Sequence, residues 1–201
     1  MSYKRFLHSP FSILHSSRGF TLMELMVVII IMGILIALGL TSYKSTQIKS
    51  RDIRRKNDLS QITKALELYY NDYGQYPTDT NSKIYGCGTA GASVCEWGSP
   101  FQTLKADGTV KTVYMPKLPG DMSAGRVYYY NRFTILPGSY NANQLYTRLE
   151  NTQDGDIPHN SINGKAQSYG ATVCGTGILC NYSVTSTNTN AEADSHTLQD
   201  D

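Results

Sequence analysis

Residues 20–40, FTLMELMVVIIIMGILIALGL, are apolar almost without interruption and carry a single acid, Glu24. As a helix rising about 1.5 Å per residue, the run spans roughly 30 Å, the thickness of a bilayer's hydrocarbon core. The segment therefore reads as one membrane-spanning helix. A carboxylate inside such a segment is costly, so Glu24 needs a partner or a purpose. The plain alternative is an ordinary anchor whose Glu24 snorkels to the headgroups. Gly33 and Gly39 interrupt the run, and small residues let neighbouring helices approach closely.

What precedes the run differs from a secretory signal. Such a signal is cut after its apolar stretch, so the stretch is lost. Here a basic residue and a glycine, Arg18-Gly19, stand before it. A cut at Gly19 would leave the whole apolar helix on the mature chain. Residues 1–19 carry Lys4, Arg5 and Arg18 and no acid, which keeps them on the cytoplasmic side. Beyond the run lies a second basic group, Lys44, Lys49, Arg51, Arg54, Arg55 and Lys56, only partly offset by Asp52 and Asp58. Charge count alone thus fixes the orientation weakly.

Gly19 followed by Phe20-Thr21-Leu22-Met23-Glu24 resembles the class III signal of type IV pilins and pseudopilins. The stretch NDLSQITKALELYYNDYGQYPT, residues 57–78, is similar to the post-membrane helix and Tyr-Pro-Thr exit of the G-type major pseudopilins of type II secretion. The resemblance covers roughly the first eighty residues. It implies a precursor cut between Gly19 and Phe20 by a prepilin peptidase, which also N-methylates Phe20. It implies that Glu24 of one subunit neutralises the amine of a neighbour's Phe20. A buried pair of this kind offsets part of its desolvation cost and fixes axial register. The resemblance further implies storage in the bacterial inner membrane with the N-terminus in the cytoplasm. From there an assembly ATPase and a platform protein move the subunit into a periplasmic or extracellular filament of its own copies or of mixed pilins. Many pilins carry a proline just after the apolar run; this chain has Thr41 there.

Past the run, Leu59, Ile62, Leu66, Tyr69 and Tyr73 recur at three- and four-residue steps and predict an amphipathic continuation over residues 41–73. Gly74 and Pro77 are its stop signals. The whole helix would extend on the order of 80 Å. Residues 74–186 then read as an exported globular domain. Its strands are expected at 126–133, 144–150 and 180–186, where tyrosines and branched residues lie between turn formers. The fold class is α+β of pilin type: a long helix, transmembrane in its first half, packed on a small antiparallel sheet. Residues 187–201 are polar and acidic and are expected to be disordered.

Cys87, Cys95, Cys174 and Cys180 all fall in the exported portion, and four cysteines allow three pairings. Neighbour pairing, Cys87 with Cys95 and Cys174 with Cys180, is preferred because each bridge closes a short glycine-rich loop. The competing zinc site lacks C-x-x-C spacing and has only His159 and His196 to draw on. Asn151, Asp154 and Asp156 cluster oxygen donors around Gly155 as calcium loops do, and G-type pseudopilins carry calcium in a C-terminal loop. No acid follows where a bidentate ligand would close an EF-hand, so a plain surface turn is the stronger reading and no cofactor is expected.

No catalytic residues emerge: histidine is scarce, and neither a nucleophile elbow nor a phosphate loop is present. Without the leader, 15 basic residues face 16 acidic ones, which leaves no footprint for nucleic acid. A tip-located minor pilin that binds DNA or a glycan is the alternative to a structural subunit. Tyr128, Tyr129 and Tyr130 read as strand and core residues and not as its stacking platform.

Overall fold

The computed structural model describes residues 19–135 and 140–201, and within these it describes no side chains at 38–42. The leader, apart from Gly19, lies outside the described residues. The chain divides into two units, Met1–Lys44 and Ser45–Asp201. A single helix, α1 (Leu22–Tyr73), has residues in both.

In the first unit, Thr21 starts α1 as an N-cap: its Oγ1 accepts from the Glu24 amide at 3.2 Å. The apolar side chains described from Leu22 to Ile36 are all exposed. Among the described residues no helix is long and apolar enough to cross a membrane. The apolar run of the sequence continues through residues 38–40, whose side chains are outside that description.

The second unit opens with the remainder of α1. Leu59, Ile62, Ala65, Leu66 and Tyr69 form its buried stripe. The helix ends at Tyr73, and Gly74 adopts φ 68°, the left-handed conformation that closes a helix. Twelve short strands follow. The first five are β1 (Thr78–Thr80), β2 (Lys83–Thr89), β3 (Ser93–Val94), β4 (Phe101–Leu104) and β5 (Val110–Met115). Then come β6 (Tyr129–Phe133), β7 (Ala142–Thr147), β8 (Gln167–Tyr169), β9 (Val173–Gly175), β10 (Ile178–Leu179), β11 (Tyr182–Thr185) and β12 (Leu198–Asp200).

The three segments expected as strands build one antiparallel sheet in the order β11-β7-β6, with Tyr130 opposite Leu145 and Val184 opposite Leu145 on the other side. Period-two alternation sorts its residues between two cores. Tyr128, Tyr130 and Leu145 pack with the helix stripe, Phe101 and Tyr114. Tyr146 faces away, into a second cluster with Tyr169, Cys174 and Cys180, flanked by Tyr129. Every residue of the central strand β7 is buried in consequence.

Two expectations need correction. The domain is not one antiparallel sheet: β1-β2-β4-β5 with β3 forms a second, and β2 runs parallel to β4, Gly88 opposite Thr103. Residues 90–100 supply the crossover that a parallel pair requires. Nor is the 187–201 stretch disordered. Its strand β12 pairs with β8, the Tyr146 hydroxyl donates to the Ala191 carbonyl at 2.8 Å, and His196 is buried. Polar contacts secure this tail, so its lack of apolar residues misleads.

Candidate assembly and processing site

The residues singled out for processing and assembly sit at the start of α1. Gly19 and Phe20 precede the helix and are exposed, Phe20 to 83%. Thr21-Leu22-Met23-Glu24 has the T-x-x-E spacing of a capping box, a signal that the reading of the run as a membrane segment passed over. The Thr21 half of that box is formed. Glu24 lies in the first turn, where the helix dipole favours an acid. Its carboxylate has no cationic partner among the described residues. An acid one turn into an exposed apolar helix, with no cationic partner among the described residues, can be neutralised by a cation from a neighbouring subunit.

Thirty residues on, the helix becomes an attachment for the exported domain. In the sequence Lys49 to Lys56 form a basic group just past the apolar run. The structure turns three of these cations inward. Arg55 is fully buried and grips Asp121 with two bonds, Nε at 2.7 Å and Nη2 at 3.0 Å, the paired geometry that suits a guanidinium. Its Nη1 reaches Asp52 at 2.8 Å and Glu150 at 2.9 Å, and its Nη2 donates to the Ser123 hydroxyl at 2.7 Å. Burial works against the Arg55 charge, but the bonds to Asp121, Glu150 and Asp52 outweigh it and raise its pKa. Arg51 also binds Glu150, and its hydrogen bonds hold the Glu150 carboxyl down at about 2 against its ordinary 4.5.

Asp52 completes the attachment by accepting the backbone amides of Glu150 and Asn151 at 2.9 and 2.8 Å. One turn and a half later, Asp58 accepts from the Tyr128 hydroxyl at 2.7 Å. The loops around 121–123 and 150–151 are thereby pinned to α1. These polar anchors escaped the sequence reading because each looks, along the chain, like a solvated charge. The i, i+3 spacing of Asp52 and Arg55 was the one available sign.

The candidate calcium oxygens have a different use. Lys56 Nζ stands 2.6 Å from Asp154 Oδ1 and 2.7 Å from Asp156 Oδ2. Burial opposes its charge, yet the two carboxylates raise its pKa. Asn151 Oδ1 accepts from the Gln153 amide at 3.3 Å. The Asn151–Asp156 loop is thus a surface turn, with Thr152, Gln153, Gly155 and Asp156 exposed, that also seats the Lys56 ammonium. Among the described residues no group of three or more His, Cys, Asp or Glu is placed to hold a metal.

The cysteines pair as neighbours, Cys87 with Cys95 and Cys174 with Cys180, and none is free. The first bridge packs in the helix-facing core and the second in the core behind β7.

A Gly-Phe pair before a capped apolar helix, continued by an amphipathic stripe that packs into a disulfide-bonded α+β domain, marks a pilin-class structural subunit and not an enzyme. The prokaryotic N-terminal methylation motif matches residues 14–40. The type II secretion system core protein G of Escherichia coli K12 is 38% identical over 140 residues, covering 70% of this chain and 84% of that protein. The core protein G of Klebsiella michiganensis is 41% identical over 63 residues, 31% of this chain and 44% of that protein. The fimbrial protein EcpC of Eikenella corrodens is 40% identical over 62 residues, 31% of this chain and 40% of that protein. The matched regions thus span less than half of the Klebsiella and Eikenella relatives. No solved structure matches. The chain belongs to the type IV pilin and pseudopilin family, among the relatives of type II secretion core protein G.

Proposed function

We propose that this chain is a major-type pseudopilin made as a precursor, cut between Gly19 and Phe20, and methylated at the Phe20 amine by the same peptidase. Residues 20–40 hold it in the inner membrane, N-terminus inward, until a platform protein and an assembly ATPase draw it into a periplasmic filament of a type II secretion system. Energy for that extraction comes from those partners, since this chain has no phosphate loop. In the filament the exposed apolar faces of α1 exchange lipid for one another, and Glu24 of one subunit meets the Phe20 amine of the next. The observation that carries this reading is Glu24 itself, an acid with no cationic partner among the described residues, one turn into an exposed apolar helix whose start abuts the Gly19–Phe20 bond. In a low-dielectric filament core an unpaired carboxylate is costly, and a positioned amine relieves that cost.

Two measurements test it. Mass spectrometry of the membrane form should give a mature chain beginning at methylated Phe20; a start downstream of the apolar helix refutes the reading. Glu24→Val should remain cleaved and membrane-bound while filament yield collapses. Normal filaments from that variant remove the pairing argument.

A further inference from the structure

The second unit carries a cationic cleft that neither assembly nor processing uses. Its volume is about 330 Å³, and Arg54, Trp97, Gly98, Lys117, Pro119 and Gly120 line it. Asp121 also borders the cleft, but its carboxylate is spent on Arg55, at 2.7 and 3.0 Å, and on the Ser123 amide at 2.8 Å. Arg54 and Lys117 are both exposed, and among the described residues neither has a carboxylate partner. The cleft therefore holds two uncompensated cations. The other five cations of residues 44–56 behave differently: Arg51, Arg55 and Lys56 are consumed internally, while Lys44 and Lys49 line no part of the cleft.

The rest of the lining is an apolar platform. Trp97 is half-buried, held edge-on against Tyr128 with centroids 5.7 Å apart, and the glycines at 98 and 120 add no side chain to the opening. The Trp97 indole N–H is enclosed and has no acceptor, an unmet donor on the wall of a positively charged site. Tryptophan beside proline presents a flat apolar surface, and an arginine with a lysine presents donors for a carboxylate. A ligand that matches both has a carboxylate fixed to a ring with an apolar face.

We propose that this cleft binds an acidic saccharide, a hexuronate unit whose carboxylate lies between Arg54 and Lys117 and whose ring rests on Trp97. The site stands independently of the filament reading. Trp97 is the only tryptophan in the chain, so its fluorescence reports this cleft alone. Full-length protein in mild detergent is titrated with glucuronate and galacturonate oligomers, with neutral glucose oligomers and with a glutamate-rich peptide, and calorimetry is run in parallel. The expected result is a saturable signal with the hexuronates only. Lys117→Ala and Arg54→Ala, both at exposed positions, should each weaken it about tenfold, the effect of losing one charge-assisted hydrogen bond, with unchanged melting temperature. Three results overturn the proposal: no saturable signal by either method, equal response to neutral sugar, or undiminished binding in both variants. Equal or tighter binding of the peptide also overturns it and assigns the cleft to a protein's acidic side chain.

Discussion

Replacing Glu150 by glutamine isolates the electrostatic attachment of the domain to α1. Hydrogen bonds from Arg51, opposed by burial and aided by Arg55, hold the Glu150 carboxyl at about 2 in the fold, against an ordinary value of 4.5. The unfolded chain takes up this proton first as pH falls. Stability from the ionised carboxylate is therefore complete above about pH 4.5 and drains away as pH drops toward 2. At about 1.36 kcal/mol per pH unit, that gap is worth about 3 kcal/mol near neutrality. The side chain is 16% exposed, so solvent screening takes only a modest share. Glutamine mimics the protonated acid, so Glu150→Gln should melt about 6–12 °C lower at pH 7 in a chain of this size. The difference between wild type and variant should shrink steadily below pH 4.5 and vanish near pH 2. Near-UV circular dichroism of the tyrosine-rich second unit follows the melt, with both disulfides intact. Other carboxylates titrate in the same window, which is why the difference, and not either curve alone, carries the result. Parallel curves from pH 7 to 2, or equal melting at pH 7, would refute the reasoning.

Further outcomes follow from packing and from the loops. Gly86→Ala places a Cβ 2.8 Å from the Pro77 Cβ and 3.3 Å from the Tyr69 ring; with a rigid proline on one side, it should destabilise by about 1–3 kcal/mol in denaturant titration. Replacing both Cys174 and Cys180 with alanine opens the small ring in the second core and should cost about 2 kcal/mol, read from the same titration under non-reducing conditions. Saturating calcium should leave the wild-type melting temperature unchanged, because Lys56 already occupies Asp154 and Asp156; a clear rise would show that calcium displaces the ammonium.

The helix and its stop were legible because periodicity and punctuation are local: Leu59 to Tyr73 repeat every three or four residues, and Gly74 ends the pattern. The sheet of β6, β7 and β11 was legible for the same reason, through tyrosines and branched residues between turns. The strands from Thr78 to Met115 were not, since glycine, serine and threonine there show no alternation and the parallel β2–β4 pair depends on contacts distant in sequence. The tail was misjudged because composition counts apolar groups, whereas Arg148 binds Asp201 and three side-chain amides, from Asn160, Asn163 and Gln167, bind Asp200. At the N-terminal site, Gly19, Phe20 and Glu24 stood out as a motif. The inward turn of Arg51, Arg55 and Lys56 did not, because apart from Asp52, three residues before Arg55, their partners lie about 65 to 100 residues away along the chain.

The two cystines have a consequence for how the exported domain matures. Each joins residues only eight or six positions apart, whereas a cross-pairing of Cys95 with Cys174 would enclose 79. Ring-closure entropy disfavours that mistake by about 2 kcal/mol relative to the correct eight-residue ring. Even in the unfolded chain, therefore, the short ring is favoured over that long one by about thirtyfold, before any packing around the cysteines contributes.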